Sequence, residues 1–167
     1  VSKAYGDTRK IEWMQVYAGQ RATEVYGGDV YMPDETLHAM EKYLVSIKGP
    51  LATPIGGGIR SLNVSIRQKL DLYACLRPRK SYPGVRSRYE NIDLVVVREN
   101  TEDLYAGVEF EKGRPATAEL IETVNRLATD RKIVTGPETT GVSIKPISVA
   151  NSERIVRFAF DYARDNG

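Results

Sequence analysis

The chain has 167 residues, 41% hydrophobic and 28% charged, the make-up of an ordinary globular protein able to bury one sizeable core or two small ones. A formal net charge of +2 is too small to point to nucleic acid or an anionic membrane as partner, and no apolar run reaches membrane-spanning length. The single cysteine, Cys75, permits no internal disulfide and lies in an apolar run, where a buried, inert thiol is expected.

Val1-Ser2-Lys3-Ala4-Tyr5 reads like the end of a helix, with no secretory-signal pattern, as if the chain started in mid-sentence. Residues 10–17 begin by alternating apolar and polar, as a half-buried strand does. Gly27-Gly28 interrupt the next segment. Pro33 then opens a helix whose first turn holds Asp34 and Glu35, which suits the helix dipole, with Leu37, Met40 and Leu44 as its buried face. Leu44-Val45-Ser46-Ile47-Lys48 reads as a short strand stopped by Gly49-Pro50. Gly56-Gly57-Gly58 let the backbone turn sharply and lie close to a ligand. Ser61 follows as the N-cap of an amphipathic run extending to about Cys75, in which Leu62, Ile66 and Leu70 form one apolar stripe. Asn63 and Arg67, four residues apart, stand one above the other on its flank. Strand, helix, strand, loop, helix is the rhythm of an α/β layer with a parallel sheet. No Gly-x-Gly-x-x-Gly lies between a strand and a helix, so a Rossmann dinucleotide site is not expected.

Residues 71–76 read as a buried strand ending at Arg77, just before Pro78. Arg79, Lys80, Arg86 and Arg88 follow in a loop containing Pro and Gly. Acidic residues soon balance them and no aromatic platform interleaves them, which favours a solvated loop over an RNA site. Leu94-Val95-Val96-Val97 suits a strand buried on both faces. It ends in Arg98-Glu99-Asn100, and the carboxyl end of a buried strand is where open α/β sheets place ligand contacts. Residues 111–115 form a loop, Leu120, Ile121, Val124, Leu127 and Ala128 have helical spacing, and residues 141–145 alternate as a strand. Ser148 is placed as the cap of a last helix with Ile155, Ala159 and Tyr162 on its core face and Gly167 at its end. On residues alone, the hydroxyl, amide and guanidinium at the start of the helix beginning near Ser61 suit an anion, which unpaired helix N–H groups also attract. They equally describe a glycine turn entering a surface helix with solvated arginines. Arg98 taken alone reads as well as a strand emerging into water.

Two stretches do more. Gly-Gly-Gly-Ile-Arg-Ser-Leu-Asn-Val at 56–64, with Leu-Arg-Pro at 76–78, resembles the substrate-binding signature of the isocitrate dehydrogenases. Val-Arg-Glu-Asn-Thr-Glu-Asp-Leu-Tyr-Ala-Gly at 97–107 continues the resemblance, which covers essentially the whole chain. These enzymes belong to the metal-dependent β-decarboxylating dehydrogenases, with the isopropylmalate and homoisocitrate enzymes. The resemblance implies an α/β, isocitrate/isopropylmalate dehydrogenase-like fold that is not Rossmann. Residues 1–72 would be part of a large domain, 73–105 a small domain, 106–150 a clasp-like α+β dimerisation segment, and 151–167 the start of a return to the small domain.

It further implies that Arg67, Arg77 and Arg98 bind substrate carboxylates, which suits arginine's planar, bidentate fork. Ser61 and Asn63 would recognise the γ-carboxylate of isocitrate, a polar start that isopropylmalate enzymes lack. Lys48 and Thr53 match positions near the substrate and the nicotinamide end of the cofactor, and Asn63 also reaches the cofactor. Tyr105 matches the tyrosine that handles the last proton transfer, with an ordinary phenol pKa of ~10 that nearby cations would have to lower. The implied cofactors are NAD or NADP and Mg²⁺ or Mn²⁺. The metal-binding aspartates, the partner subunit's lysine and the adenosine loop are expected beyond Gly167, and an opening strand before Val1, so the chain is expected to be an internal fragment. Isocitrate as substrate, a homodimeric parent, and a cytoplasmic location, or the mitochondrial matrix in a eukaryote, complete the implication. Alternatives are a homoisocitrate or isopropylmalate dehydrogenase and a non-catalytic regulatory subunit, the last disfavoured by the intact Ser61, Asn63, arginines and Tyr105. Neither nucleic acid nor membrane is expected as a partner.

Overall fold

The computed structural model describes residues 1–51 and 61–167, so that Thr53 and the glycines at 56–58 lie outside the described residues. The chain divides into two units, Val1–Leu70 and Asp71–Gly167.

In the first unit, helices α1 (Ser2–Tyr5), α2 (Gln20–Tyr26), α3 (Asp34–Tyr43) and α4 (Leu62–Lys69) are joined by irregular segments. Pro33 holds the N-cap position of α3, with Asp34 and Glu35 in the first turn. Thr36 and Leu37 face inward, and the Thr36 hydroxyl donates to the Tyr17 carbonyl at 2.7 Å, which fastens the helix to the preceding segment. Leu44 is not part of the buried face. It caps the helix at φ 63°, and that reversal turns its side chain out to 86% exposure.

Neither 10–17 nor 44–48 forms a strand. Trp13, Val45 and Ile47 are 71%, 84% and 81% exposed. Alternation makes a segment suited to a sheet, but a strand exists only when a neighbour completes its ladder, and no such neighbour is present among the described residues. The expected parallel sheet is accordingly not seen there. Helix α4 does follow the sequence: Ser61 is its N-cap residue and Leu62 and Ile66 are buried. It stops at Lys69 rather than near Cys75, because Asp71 at φ 47° turns the chain.

In the second unit, β1 (Ala74–Lys80) pairs antiparallel with β2 (Asp93–Glu99). Strand β1 starts later than expected and carries Arg77, Arg79 and Lys80 within it, Pro78 being tolerated in a strand with only one neighbour. β2 is a strand, as expected, but it is not buried on both faces: Leu94, Val95 and Val96 are 46%, 37% and 45% exposed. A two-stranded ladder with one helix packed on β2 supplies less cover than this apolar run is built for. Cys75 is half-buried for the same reason. A second antiparallel pair joins β3 (Val108–Phe110) to β4 (Val142–Ile144). Between them lies α5 (Pro115–Leu127), with Pro115 in its first turn and Thr117 and Ile121 buried. Gly141 lets the strands close, since a Cβ there would stand 3.3 Å from the Phe110 carbonyl oxygen. Helix α6 (Val149–Asn166) is capped as expected, the Ser148 hydroxyl accepting from the Asn151 N–H at 3.1 Å. Its sheltered side includes Ile155, Ala159 and Tyr162, and Phe158 meets the Tyr73 ring edge-on at 6.0 Å.

Candidate functional site

On α4, Ser61 is exposed and its hydroxyl makes no capping bond to the helix, while its carbonyl accepts from the Ser65 N–H at 3.0 Å. One residue into the helix, Oδ1 of Asn63 is shielded from solvent and has no hydrogen-bond partner among the described residues. An amide oxygen accepts only, so a carboxylate would have to be met by Nδ2 of Asn63 instead. Arg67, one turn on, is half-buried and forms no ion pair among the described residues. Lys48 is exposed and its ammonium donates to the neighbouring Gly49 carbonyl at 3.0 Å. It lines an open cleft of about 990 Å³ with Trp13, Met40 and Ile66, a wall to which Ser61, Asn63 and Arg67 do not contribute.

In the second unit, the register of β1 and β2 sets Cys75 opposite Arg98 and Arg77 opposite Val96. Directly opposed residues share a face, and so do residues two apart, so Arg77 and Arg98 are diagonal neighbours on one face, with Cα atoms roughly 7–8 Å apart. Arg77 Nε donates to Cys75 Sγ at 3.1 Å. The Arg98 guanidinium carbon lies 5.0 Å from the centroid of the Tyr105 ring, a cation–π contact. Arg98 Nη2 donates to Oδ1 of Asn100 at 3.0 Å, and its buried Nε has no acceptor among the described residues. Neither arginine forms an ion pair among the described residues. Two forks on one face with their charge unneutralised suit a carboxylate ligand.

Glu99, between Arg98 and Asn100, is bonded elsewhere. Its oxygens accept the N–H of Thr101 at 2.8 Å, the N–H of Glu102 at 2.9 Å and the Thr101 hydroxyl. Burial alone would push its pKa up, but these bonds outweigh burial and hold it below the usual carboxylate range. Glu102 in turn accepts the Ser148 N–H at 2.7 Å, and the Asp103 N–H donates to the Pro146 carbonyl at 3.0 Å. Asn151 Nδ2 reaches the Thr101 hydroxyl at 3.3 Å. The short 3-10 turn Asp103–Tyr105 is therefore held against the start of α6, which fixes where the phenol stands.

A depressed folded pKa gives stability that is present above the ordinary carboxylate range and is lost as pH falls through the lowered folded value. Glu99→Gln removes that proton linkage. In a protein carrying this sequence the variant is expected to melt lower at neutral pH and to show a flatter acid limb, measured as Tm from about pH 7 to about pH 3. Parallel acid limbs would show that the Glu99 carboxylate does not hold the turn.

The structure thus groups Arg77, Arg98 and Tyr105 in one unit and Ser61, Asn63 and Arg67 on one helix of the other. Glu99 and Asn100 were not anticipated from the sequence as working residues, and their only signal is a polar run directly after an apolar strand. Among the described residues, no group of three or more His, Cys, Asp or Glu is placed to hold a metal ion, and no helix is long and apolar enough to cross a membrane.

Residues 1–167 match the family profile of the isocitrate/isopropylmalate dehydrogenases, and the chain belongs to that family of dehydrogenases. Its mixed helices and small sheets are of that fold. Among curated relatives, isocitrate dehydrogenase [NADP] of Pseudomonas aeruginosa (strain UCBPP-PA14) is 50% identical over 169 residues, covering 99% of this chain and 40% of the relative. Isocitrate dehydrogenase [NADP] of Coxiella burnetii (strain RSA 493 / Nine Mile phase I) is 52% identical over 169 residues, covering 99% of this chain and 39% of the relative. The crystal structure of isocitrate dehydrogenase from Methylococcus capsulatus superposes with a TM-score of 0.72 at 39% identity, over 98% of this chain and 41% of that one. The chain spans about 40% of the length of the relatives it matches.

Proposed function

We propose that a full-length protein containing this chain catalyses the NADP-dependent oxidative decarboxylation of isocitrate to 2-oxoglutarate, and that this chain supplies carboxylate-binding and proton-transfer groups of its active site. The observation that carries the reading is the shared face of Arg77 and Arg98, without acidic partners among the described residues, with Arg98 lying over Tyr105. That the relatives are NADP-dependent by name supports NADP rather than NAD.

In the proposed reaction the hydroxyl proton of isocitrate leaves, its carbon gives up hydride, carbon dioxide departs from the resulting keto acid, and the remaining enolate is protonated. NADP, when bound, takes the hydride. Arg67, Arg77 and Arg98 hold carboxylates through paired N–H groups. The Ser61 hydroxyl and Nδ2 of Asn63 donate to the γ-carboxylate, which selects isocitrate over an aliphatic analogue. Tyr105 donates its phenolic proton to the enolate carbon. Lys48 and Thr53 serve the substrate and the nicotinamide end of the cofactor, which Asn63 also touches. Mg²⁺ or Mn²⁺, if required, takes its ligands from outside these residues. In the same reading, residues 1–72 belong to a large domain, 73–105 and 151–167 to a small one, and 106–150 to a clasp of a homodimer working in the cytoplasm, or in the matrix of a mitochondrion.

Arg98→Lys replaces a planar fork with a point charge and keeps the positive sign. In the full-length protein it is expected to weaken isocitrate binding about 10–100-fold, the range for losing a hydrogen bond to a charged group. Calorimetric titration with isocitrate in the presence of Mn²⁺ measures it. Unchanged affinity would remove Arg98 from the substrate contacts.

A further inference from the structure

Asn100 is only 2% exposed and stands immediately after β2. Its backbone N–H extends the ladder, donating to the Tyr73 carbonyl at 3.0 Å. Its side chain has two engagements: Oδ1 accepts from Arg98 Nη2 at 3.0 Å, and Nδ2 donates to the Leu72 carbonyl at 3.4 Å. A guanidinium has no acceptor and a carbonyl has no donor, so the amide can stand in only one orientation. One small, sheltered side chain thereby links the Arg98 fork to the entry of β1, the strand that carries Arg77.

We propose that Asn100 is the positioning residue for Arg98, holding its fork in register with Arg77 so that the pair meets a substrate carboxylate pre-aligned. This rests on the reading that Arg98 binds substrate. Without the tie, the guanidinium keeps its charge but must lose rotamer freedom on binding, which weakens association. Asn100 touches neither the reacting carbon nor the transferred proton, so its loss falls on KM and leaves kcat close to the wild type.

The test is made in the full-length protein with Asn100→Asp and Asn100→Ala. An ionised aspartate turns a negative oxygen toward the Leu72 carbonyl and competes with substrate for Arg98. Protonated, it has the bonding pattern of the amide, with an O–H for Leu72 and a carbonyl for Arg98. KM for isocitrate in Asn100→Asp is expected to be about 10–100-fold above wild type at pH about 8, and the ratio of the two is expected to fall toward one as pH drops. Asn100→Ala is expected to raise KM without that recovery. The charged or titratable groups around it, Tyr73, Cys75, Arg98, Glu99 and Tyr105 with the Asp71–Arg154 pair beside Tyr73, are common to variant and wild type, so the ratio isolates position 100. A merely structural role would give a loss that follows Tm and does not recover in acid, and that result overturns the proposal. If Asn100→Ala does not fold, the acid recovery of Asn100→Asp alone decides. If Arg98→Lys raises KM while both Asn100 variants keep the wild-type value, the positioning role fails and substrate binding by Arg98 stands. An unchanged KM in Arg98→Lys sinks the reading on which both depend.

Discussion

Tyr105→Phe in the full-length protein is expected to cut turnover of isocitrate about 10²–10⁴-fold, the usual contribution of a general acid, while isocitrate affinity stays near wild type. The substitution removes the only proton the side chain can give and keeps its ring. The face over which Arg98 lies therefore survives, and the arginine contact with the ring is not the thing being tested. The bonds through Glu99, Glu102 and backbone groups that hold the turn are left in place as well. Steady-state kinetics gives the loss in kcat. The keto-acid intermediate oxalosuccinate gives a sharper reading, since the proposed step follows hydride transfer. Wild-type turnover of both isocitrate and oxalosuccinate would make Tyr105 a packing residue.

Ser61→Asp is expected to come close to abolishing activity. Aspartate is as good an N-cap as serine and its charge suits the positive end of α4, so the helix should hold or tighten. Any loss must then arise at the ligand. Two like charges about 4 Å apart at an effective dielectric of about 20 repel by about 4 kcal/mol, or ~10³-fold in KM. Ser61→Ala removes one hydrogen bond to the carboxylate without adding a charge and is expected to cost about 10–100-fold, less than the aspartate. A phosphate on the same hydroxyl would act as the aspartate does. Kinetics and Tm measured together check this, and equal KM for the Asp and Ala variants would place Ser61 away from the substrate.

The parts of this molecule that are local in sequence were legible in it. Helix α4 with Leu62 and Ile66 inward, the Ser148 cap of α6 and the Pro-led start of α5 each depend on residues within a turn or two of one another. The pairing of β1 with β2 was not, because the match of Cys75 with Arg98 is made between distant residues and a one-residue slip would reverse every face. That pairing is what puts Arg77 and Arg98 together, so the site's geometry was hidden even though both arginines could be named. Asn100 was hidden for another reason: a buried amide and a loop amide look alike until their partners are known. The strands expected at 10–17 and 44–48 went wrong in the opposite direction. Their apolar pattern suits a sheet, and nothing in a segment's own pattern reveals whether a neighbour lies beside it.

The bond from the Ser148 N–H to Glu102 joins residues 46 apart and closes a loop that holds β3, α5 and β4 entire. With Asp103 bonded to Pro146 beside it, that stretch leaves and re-enters at one doorway. The entropy of closing such a loop grows only with the logarithm of its length, so residues can be added to or removed from it at small cost to the closure. The excursion is in this sense a module. Its contents can diverge while the doorway, and the tyrosine just inside it, stay where they are.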